Sequence, residues 1–95
     1  MEPTLPPVHH DLANRRFEMR VDDLQCEACY DLAGQVMRLT HTGVPRRLEG
    51  RGIAAALVRA ALDHARAHDL RVLPLCSYVR VYMRRHPETQ DLLHR

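Results

Sequence analysis

Arg47-Leu48-Glu49-Gly50-Arg51-Gly52-Ile53-Ala54 runs directly into an alanine-rich amphipathic segment that ends near His68. Glycine at 50 and 52 removes the Cβ atoms that would hold a ligand off the backbone, and it permits turn dihedrals that other residues resist. The helix expected behind them aims free N–H groups and the positive end of its dipole at whatever sits in the turn. Arg46, Arg47 and Arg51 add positive charge around the pair. These features read as a phosphate cradle. A bare glycine pair would serve equally as a tight entry into an ordinary helix, so the flanking chain decides.

Downstream, a helix from Gly52 to about His68 puts Ala54, Leu57, Val58, Ala61, Leu62 and Ala65 on one face and Arg59, Asp63 and Arg66 on the other. Leu70 to Leu75 is a compact apolar run and reads as a buried strand. Ser77 is suited to cap a second helix, Tyr78 to Arg85, which stops before Pro87, with one last turn between Glu88 and His94. Upstream, Phe17, Met19 and Val21 alternate with Glu18, Arg20 and Asp22, and Leu24, Cys26, Ala28 and Tyr30 repeat the period of two. Ala33-Gly34 supplies a hairpin turn, and Val36 to Thr40 returns as a third strand. Strand, crossover helix and strand imply parallel pairing. The expected order is β-β-β-α-β-α, an α/β mixed sheet of three antiparallel strands and one parallel strand.

Residues 1–14 contain Pro3, Pro6 and Pro7 without apolar periodicity and read as a flexible arm, leaving 15–95 as a single domain. A formal net charge of +2 and only four Phe, Trp and Tyr residues argue against nucleic acid as the partner. No apolar run approaches the roughly 20 residues that span a bilayer, so no membrane is expected. Three cysteines without a secretory leader point to a reducing, cytoplasmic setting.

Rival chemistries fall on spacing. Cys26-x-x-Cys29 lies in an extended strand, where positions three apart face opposite ways and cannot grip one metal. His9-His10 reads as solvated, and His64 with His68 as surface histidines at a helix end, so no metal is expected. Gly50-x-Gly52-x-x-Ala55 comes with a single βαβ unit, half of a dinucleotide-binding fold. A Walker-type phosphate loop needs a lysine, and the chain has none.

As a set, the motifs resemble the GNAT superfamily of acyl-CoA-dependent N-acetyltransferases, whose pyrophosphate loop Gln/Arg-x-x-Gly-x-Gly/Ala is matched by Arg47-Leu48-Glu49-Gly50-Arg51-Gly52. The wording is similar to the short, single-domain Yjdj-type branch: His41-Thr42-Gly43-Val44-Pro45 before the loop, Gly50-Arg51-Gly52-Ile53-Ala54 at the helix start, Cys76-Ser77-Tyr78-Val79, and His86-Pro87-Glu88. The likeness runs from about Phe17 to Leu93. It implies acetyl-CoA between two splayed parallel strands, with the Arg47–Ala54 turn on the pyrophosphate. His41, Thr42, Gly43 and Val44 would bind the pantetheine amides as a further strand would, and Ser77 joins the implied coenzyme A set. It also implies an amine acceptor, small molecule or protein. The superfamily usually carries helices between its first two strands, and Asp22-Asp23 leaves no room for them.

Acyl transfer to an amine needs a neutral nucleophile, a polarised thioester and a proton for the departing thiolate. Tyr82 falls where many of these enzymes keep the proton donor, and a core aromatic is its alternative reading. Cys76, at a strand-to-helix junction that favours a thiolate, reads as a pocket-wall residue or an acyl carrier. Glu27 and Glu49 are the carboxylates available as a base. An acyl-CoA-binding module without turnover is the alternative function.

Overall fold

Among the described residues, the first element is a three-residue strand that the sequence pattern conceals. The computed structural model describes residues 5–95, and it places strand β1 at His9–Asp11, paired antiparallel to β2 (Arg16–Val21) with His10 opposite Phe17. The expectation of an arm over 1–14 is therefore corrected at His9–Asp11; Met1, Glu2, Pro3 and Thr4 of that arm lie outside the described residues. The pairing forms because backbone groups on the β2 edge need partners and because the His10 ring finds apolar and aromatic company. That ring stacks on Phe17 at 4.0 Å between centroids and lies 2.6 Å from the Tyr30 hydroxyl.

The meander continues as read. β3 (Leu24–Ala33) follows β2 through Asp22-Asp23, both at positive φ (51° and 63°), a tight reversal with no space for helices. Gly34, at φ 61°, turns the chain into β4 (Val36–Gly43), longer than expected because His41, Thr42 and Gly43 stay paired to β3. A 3₁₀ turn at Arg46–Leu48 leads to α1 (Ile53–Ala67), then β5 (Arg71–Pro74), α2 (Ser77–Arg85) and a 3₁₀ segment at Pro87–Leu92. The sheet order is β1-β2-β3-β4-β5, antiparallel except for the parallel β4–β5 pair.

One face of the sheet is apolar. Phe17, Met19, Cys26, Ala28, Tyr30, Met37, Leu39 and Val72 bury against Ile53, Leu57, Val58, Ala61, Leu62 and Ala65 of α1, with Val79, Tyr82 and Met83 of α2 in the same core. Full burial of each aliphatic side chain contributes about 1.5–3 kcal/mol before entropy is charged. Arg16, Glu18, Gln25, Glu27, Asp31 and Arg38 of the opposite face pair with one another instead of meeting a second layer.

A bulge decides which residues of β4 reach that core. Tyr30 pairs with Leu39, but Cys29 pairs with His41, so Thr40 is the extra residue. Without it, Met37, Leu39 and His41 would share a face. The bulge instead sends Thr42 inward, opposite buried Ala28, and His41 outward, opposite Cys29.

Candidate active site

β4 and β5 part at Pro74. Their last paired residues are Leu39 and Pro74, and the Leu75 and Cys76 amides both turn back to the Leu39 carbonyl, each at 3.0 Å. Beyond that point Thr40–Gly43 has β3 on one side and no strand on the other. A cavity of about 420 Å³ opens beside this segment, lined by Thr42, Val44, Leu48, Glu49, Gly50, Gly52, Ile53, Ala54, Ala55 and Tyr78.

The glycine turn forms the other wall. Gly50 and Gly52 hold φ of 83° and 81°, and a Cβ built at either meets no atom within 4 Å. Backbone conformation, not crowding, demands glycine here, and the space left open is that into which a ligand would come close. Gly52 is the N-cap of α1 and supplies no side-chain cap, so the first-turn amides are left to a ligand or solvent. Leu48 is fully buried and pins the turn to the core. Arg51 leans away, toward Asp22 at 3.4 Å.

Of the residues implied to bind coenzyme A, Thr42, Val44, Leu48, Glu49, Gly50, Gly52, Ile53 and Ala54 line this cavity, whereas His41, Gly43, Arg47, Arg51 and Ser77 do not. The N-cap of α2 is Cys76 and not Ser77, which is exposed and begins the helix proper. Ser77 therefore makes no cap; the residue before it already has the extended dihedrals that position needs.

Cys76, the N-cap of α2, does not line the cavity but touches Thr42, which does. Its Sγ lies 3.5 Å from Thr42 Oγ1, whose hydroxyl can donate to a thiolate. Burial pushes this thiol up, but the Thr42 hydroxyl and the backbone of Val79, Tyr78 and Thr42 pull harder, and the pKa falls below the ordinary thiol value. Cys26 and Cys29 go the other way, raised first by burial. Among the described residues, no group of three or more His, Cys, Asp and Glu could hold a metal ion.

Tyr82 lies deeper than expected of a proton donor. It is 7% exposed, stacks on His86 at 3.9 Å, and it does not line the cavity. Tyr78, one turn earlier, does. Burial and the neighbouring Tyr82 raise the Tyr78 pKa, keeping its phenol protonated. Sequence reasoning missed Tyr78 although it stands four residues before Tyr82, on the same helical face.

On the far side of β4, His41 Nε2 lies 3.8 Å from Glu27 Oε2. Glu27, one of the two carboxylates available as a base, thus addresses a histidine; Glu49 lies on the cavity wall.

The model of the GCN5-related N-acetyltransferase domain matches residues 16–92. The chain is 37% identical over 90 residues to protein NATD1 of Gallus gallus, covering 92% of this chain and 82% of that protein. Against protein NATD1 of Homo sapiens it is 36% identical over 88 residues, covering 90% and 78%. The solution structure of a GCN5-like protein from Staphylococcus aureus superposes with a TM-score of 0.75 at 23% identity, over 93% of this chain and 87% of that one, a likeness of fold. With the splayed parallel pair and the glycine turn at a helix N-terminus, these matches lead to one assignment: the chain belongs to the GCN5-related N-acetyltransferase family.

Proposed function

We propose that this protein transfers the acetyl group of acetyl-CoA to an amine, as a member of the short, single-domain Yjdj-type branch acting in the cytoplasm. The observation that carries the reading is the gap between β4 and β5, open beside the uncapped N-terminus of α1. Amides of the turn from Arg47 to Ala54 suit a pyrophosphate. The unpartnered edge of His41, Thr42, Gly43 and Val44 suits the amides of pantetheine, with Ser77 at the rim. The acceptor is an amine of a small molecule or a protein. No helix among the described residues is long and apolar enough to cross a membrane.

Acetyl-CoA supplies the activated thioester; the chain supplies position and proton traffic. The coenzyme enters on the cavity side of β4 and the acceptor approaches from the open face of the sheet, where His41 stands. The His41 imidazole takes the proton that the amine must lose, at the ring nitrogen turned away from Glu27. The amine nitrogen then bonds to the acetyl carbon as the carbon–sulfur bond breaks. The departing thiolate takes a proton from a phenol, with Tyr78 joining Tyr82 as candidate donor; such a role is worth typically ~10²–10⁴-fold. Cys76 lines the path of the thioester in this direct scheme. The lowered thiol pKa favours a second scheme in which Cys76 carries the acetyl group between coenzyme and amine.

The test is titration calorimetry with acetyl-CoA, followed by thiol release over a panel of amines. Binding with thiol release sustains the reading. Binding with no release from any amine would reduce the protein to an acyl-CoA-binding module. Mass spectrometry after incubation without acceptor separates the schemes: direct transfer leaves Cys76 unmodified, and a stoichiometric adduct that an amine discharges at the turnover rate supports the relay.

A further inference from the structure

Three of the four glycines have positive φ, at positions 34, 50 and 52; Gly43 does not. The backbone at 43 would accept any L-residue, so its glycine answers to something else. A Cβ there would stand 2.9 Å from His41 Nε2, 3.5 Å from His41 Cε1 and 3.8 Å from Glu27 Cγ. The first distance is closer than real Cβ contacts allow. The His41 ring, then, lies over residue 43 because nothing projects from it.

The ladder register puts the same three residues together. Gly43 faces Glu27 and His41 faces Cys29 across β3 and β4, on the face that no helix covers. Glu27 Oε2 is 3.8 Å from His41 Nε2, while its Oε1 is 3.9 Å from Arg16 Nη1. Arg16 is in turn held by Glu18 at 2.7 Å, and Gln25 donates to the same Glu18 oxygen at 3.0 Å. Glu27 is thus braced from β2 and presents its free oxygen toward the imidazole. Only the bulge at Thr40 puts His41 on this face.

We propose that Gly43 and Glu27 are positioning residues for His41: Gly43 is the slot that lets the imidazole lie flat along β4, and Glu27 fixes the direction of Nε2. The inference rests on the reading of His41 as the group that accepts the acceptor amine's proton. When that proton arrives, the carboxylate faces a new positive charge across 3.8 Å and opposes it without moving. Both act through the ring: the coenzyme would meet only the backbone of residue 43, which an added Cβ against His41 leaves in place, and Glu27 touches neither acetyl-CoA nor the amine.

The test substitutes Gly43→Ala, which displaces only the far end of one side chain, and Glu27→Gln, with Glu27→Asp as the conservative variant. Thermal unfolding and calorimetry with acetyl-CoA first establish that fold and coenzyme affinity are retained. With spermidine and a lysine-bearing peptide as probe acceptors, Gly43→Ala should lower kcat by about 10- to 100-fold at little changed KM for acetyl-CoA. Glu27→Gln should lower it less, and Glu27→Asp should restore part of the loss. In a His41→Ala background both changes should cost nothing further, because their effect runs through the ring. An undiminished loss in that background would overturn the proposal. NMR of the His41 ring at one fixed pH reads position without turnover: its Cε1–Hε1 signal should move in Gly43→Ala and in Glu27→Gln. An unmoved signal overturns the positioning itself, whatever the protein catalyses. A moved signal in a protein that acetylates no amine would keep the geometry and overturn its catalytic purpose.

Discussion

At its N-terminus α1 starts on a left-handed glycine with no side-chain cap, facing an open cavity, whereas its C-terminus is tied down by backbone and side-chain bonds. There the His68 amide bonds back to the Arg66 and His64 carbonyls, Asp69 takes the left-handed conformation, and the Leu70 amide returns to Ala65 at 2.8 Å. Arg66 clamps Asp91 through two bonds of 2.8 and 2.9 Å. Around the last turns sit His10, Phe17, Tyr30 and His68, all within ring contact of His64 or of one another. One helix therefore divides two duties: its unsatisfied end is available to a ligand, and its satisfied end ties the edge of the sheet to the core. Perturbing the first should change binding more than stability, and perturbing the second the reverse.

The largest effect should come from the tied end. Deleting residues 1–11 removes β1, uncovers Phe17 and leaves the Tyr30 hydroxyl without His10. Loss of one packed side chain, a partly buried hydrogen bond and a strand edge should cost about 2–4 kcal/mol, lowering Tm by on the order of 10 °C or more. Calorimetric scanning of the truncated and full chains reads this directly. A shift under about 3 °C would mean that β1 rests on the sheet without stabilising it.

At the open end, Gly52→Ala and Gly50→Ala each force a Cβ into left-handed backbone, costing about 1–2 kcal/mol, and push it into the space that the cavity keeps clear. Coenzyme A affinity should fall by about tenfold or more, on the order of 1.4 kcal/mol, in protein that remains folded. Calorimetry on folded Gly52→Ala with unchanged affinity would remove the pyrophosphate from this turn. The contrast between the ends would then lose its functional half.

The two ends also differ in how far the sequence revealed them. The glycine turn was legible because its demands are local: spacing, neighbouring arginines and the helical period all lie within a few residues. The tied end was not. β1 is three residues long, too short for a period, and its partners come from positions 17, 30 and 64. His64 and His68 looked like solvated surface residues because nothing nearby in sequence announces His10. The site itself was half legible for a related reason. Alternation along β4 assigns His41 inward, and only the unpaired Thr40 reverses it, bringing Thr42 to Cys76 and His41 to Glu27. Tyr78 and Tyr82 share a face, so the period could not say which one meets the cavity.

The smallest effect, and the sharpest for the tied end, is its response to acid. Burial lowers the pKa of His10, with His68 and His9 adding repulsion and Asp11 opposing them; burial likewise lowers His64, helped by His10 and His68. The unfolded chain should titrate near 6.5, so below that pH it binds more protons than the folded one. The contribution of this cluster is therefore fully present above about pH 6.5 and is lost as pH falls from there through the depressed folded values. Edge strand β1 should loosen first, because His10 is the side chain that carries its contacts with Phe17, Tyr30 and His64. Amide exchange followed at pH 7.5 and pH 5.5 should show faster exchange at the β1–β2 pairing than acid alone predicts for the rest of the sheet. His64→Gln removes one charge from the cluster without emptying the site, so its acid-side loss of Tm should be smaller than that of the unaltered protein. Equal acid sensitivity in the two proteins would mean that the histidines pack against β1 without governing when it lets go.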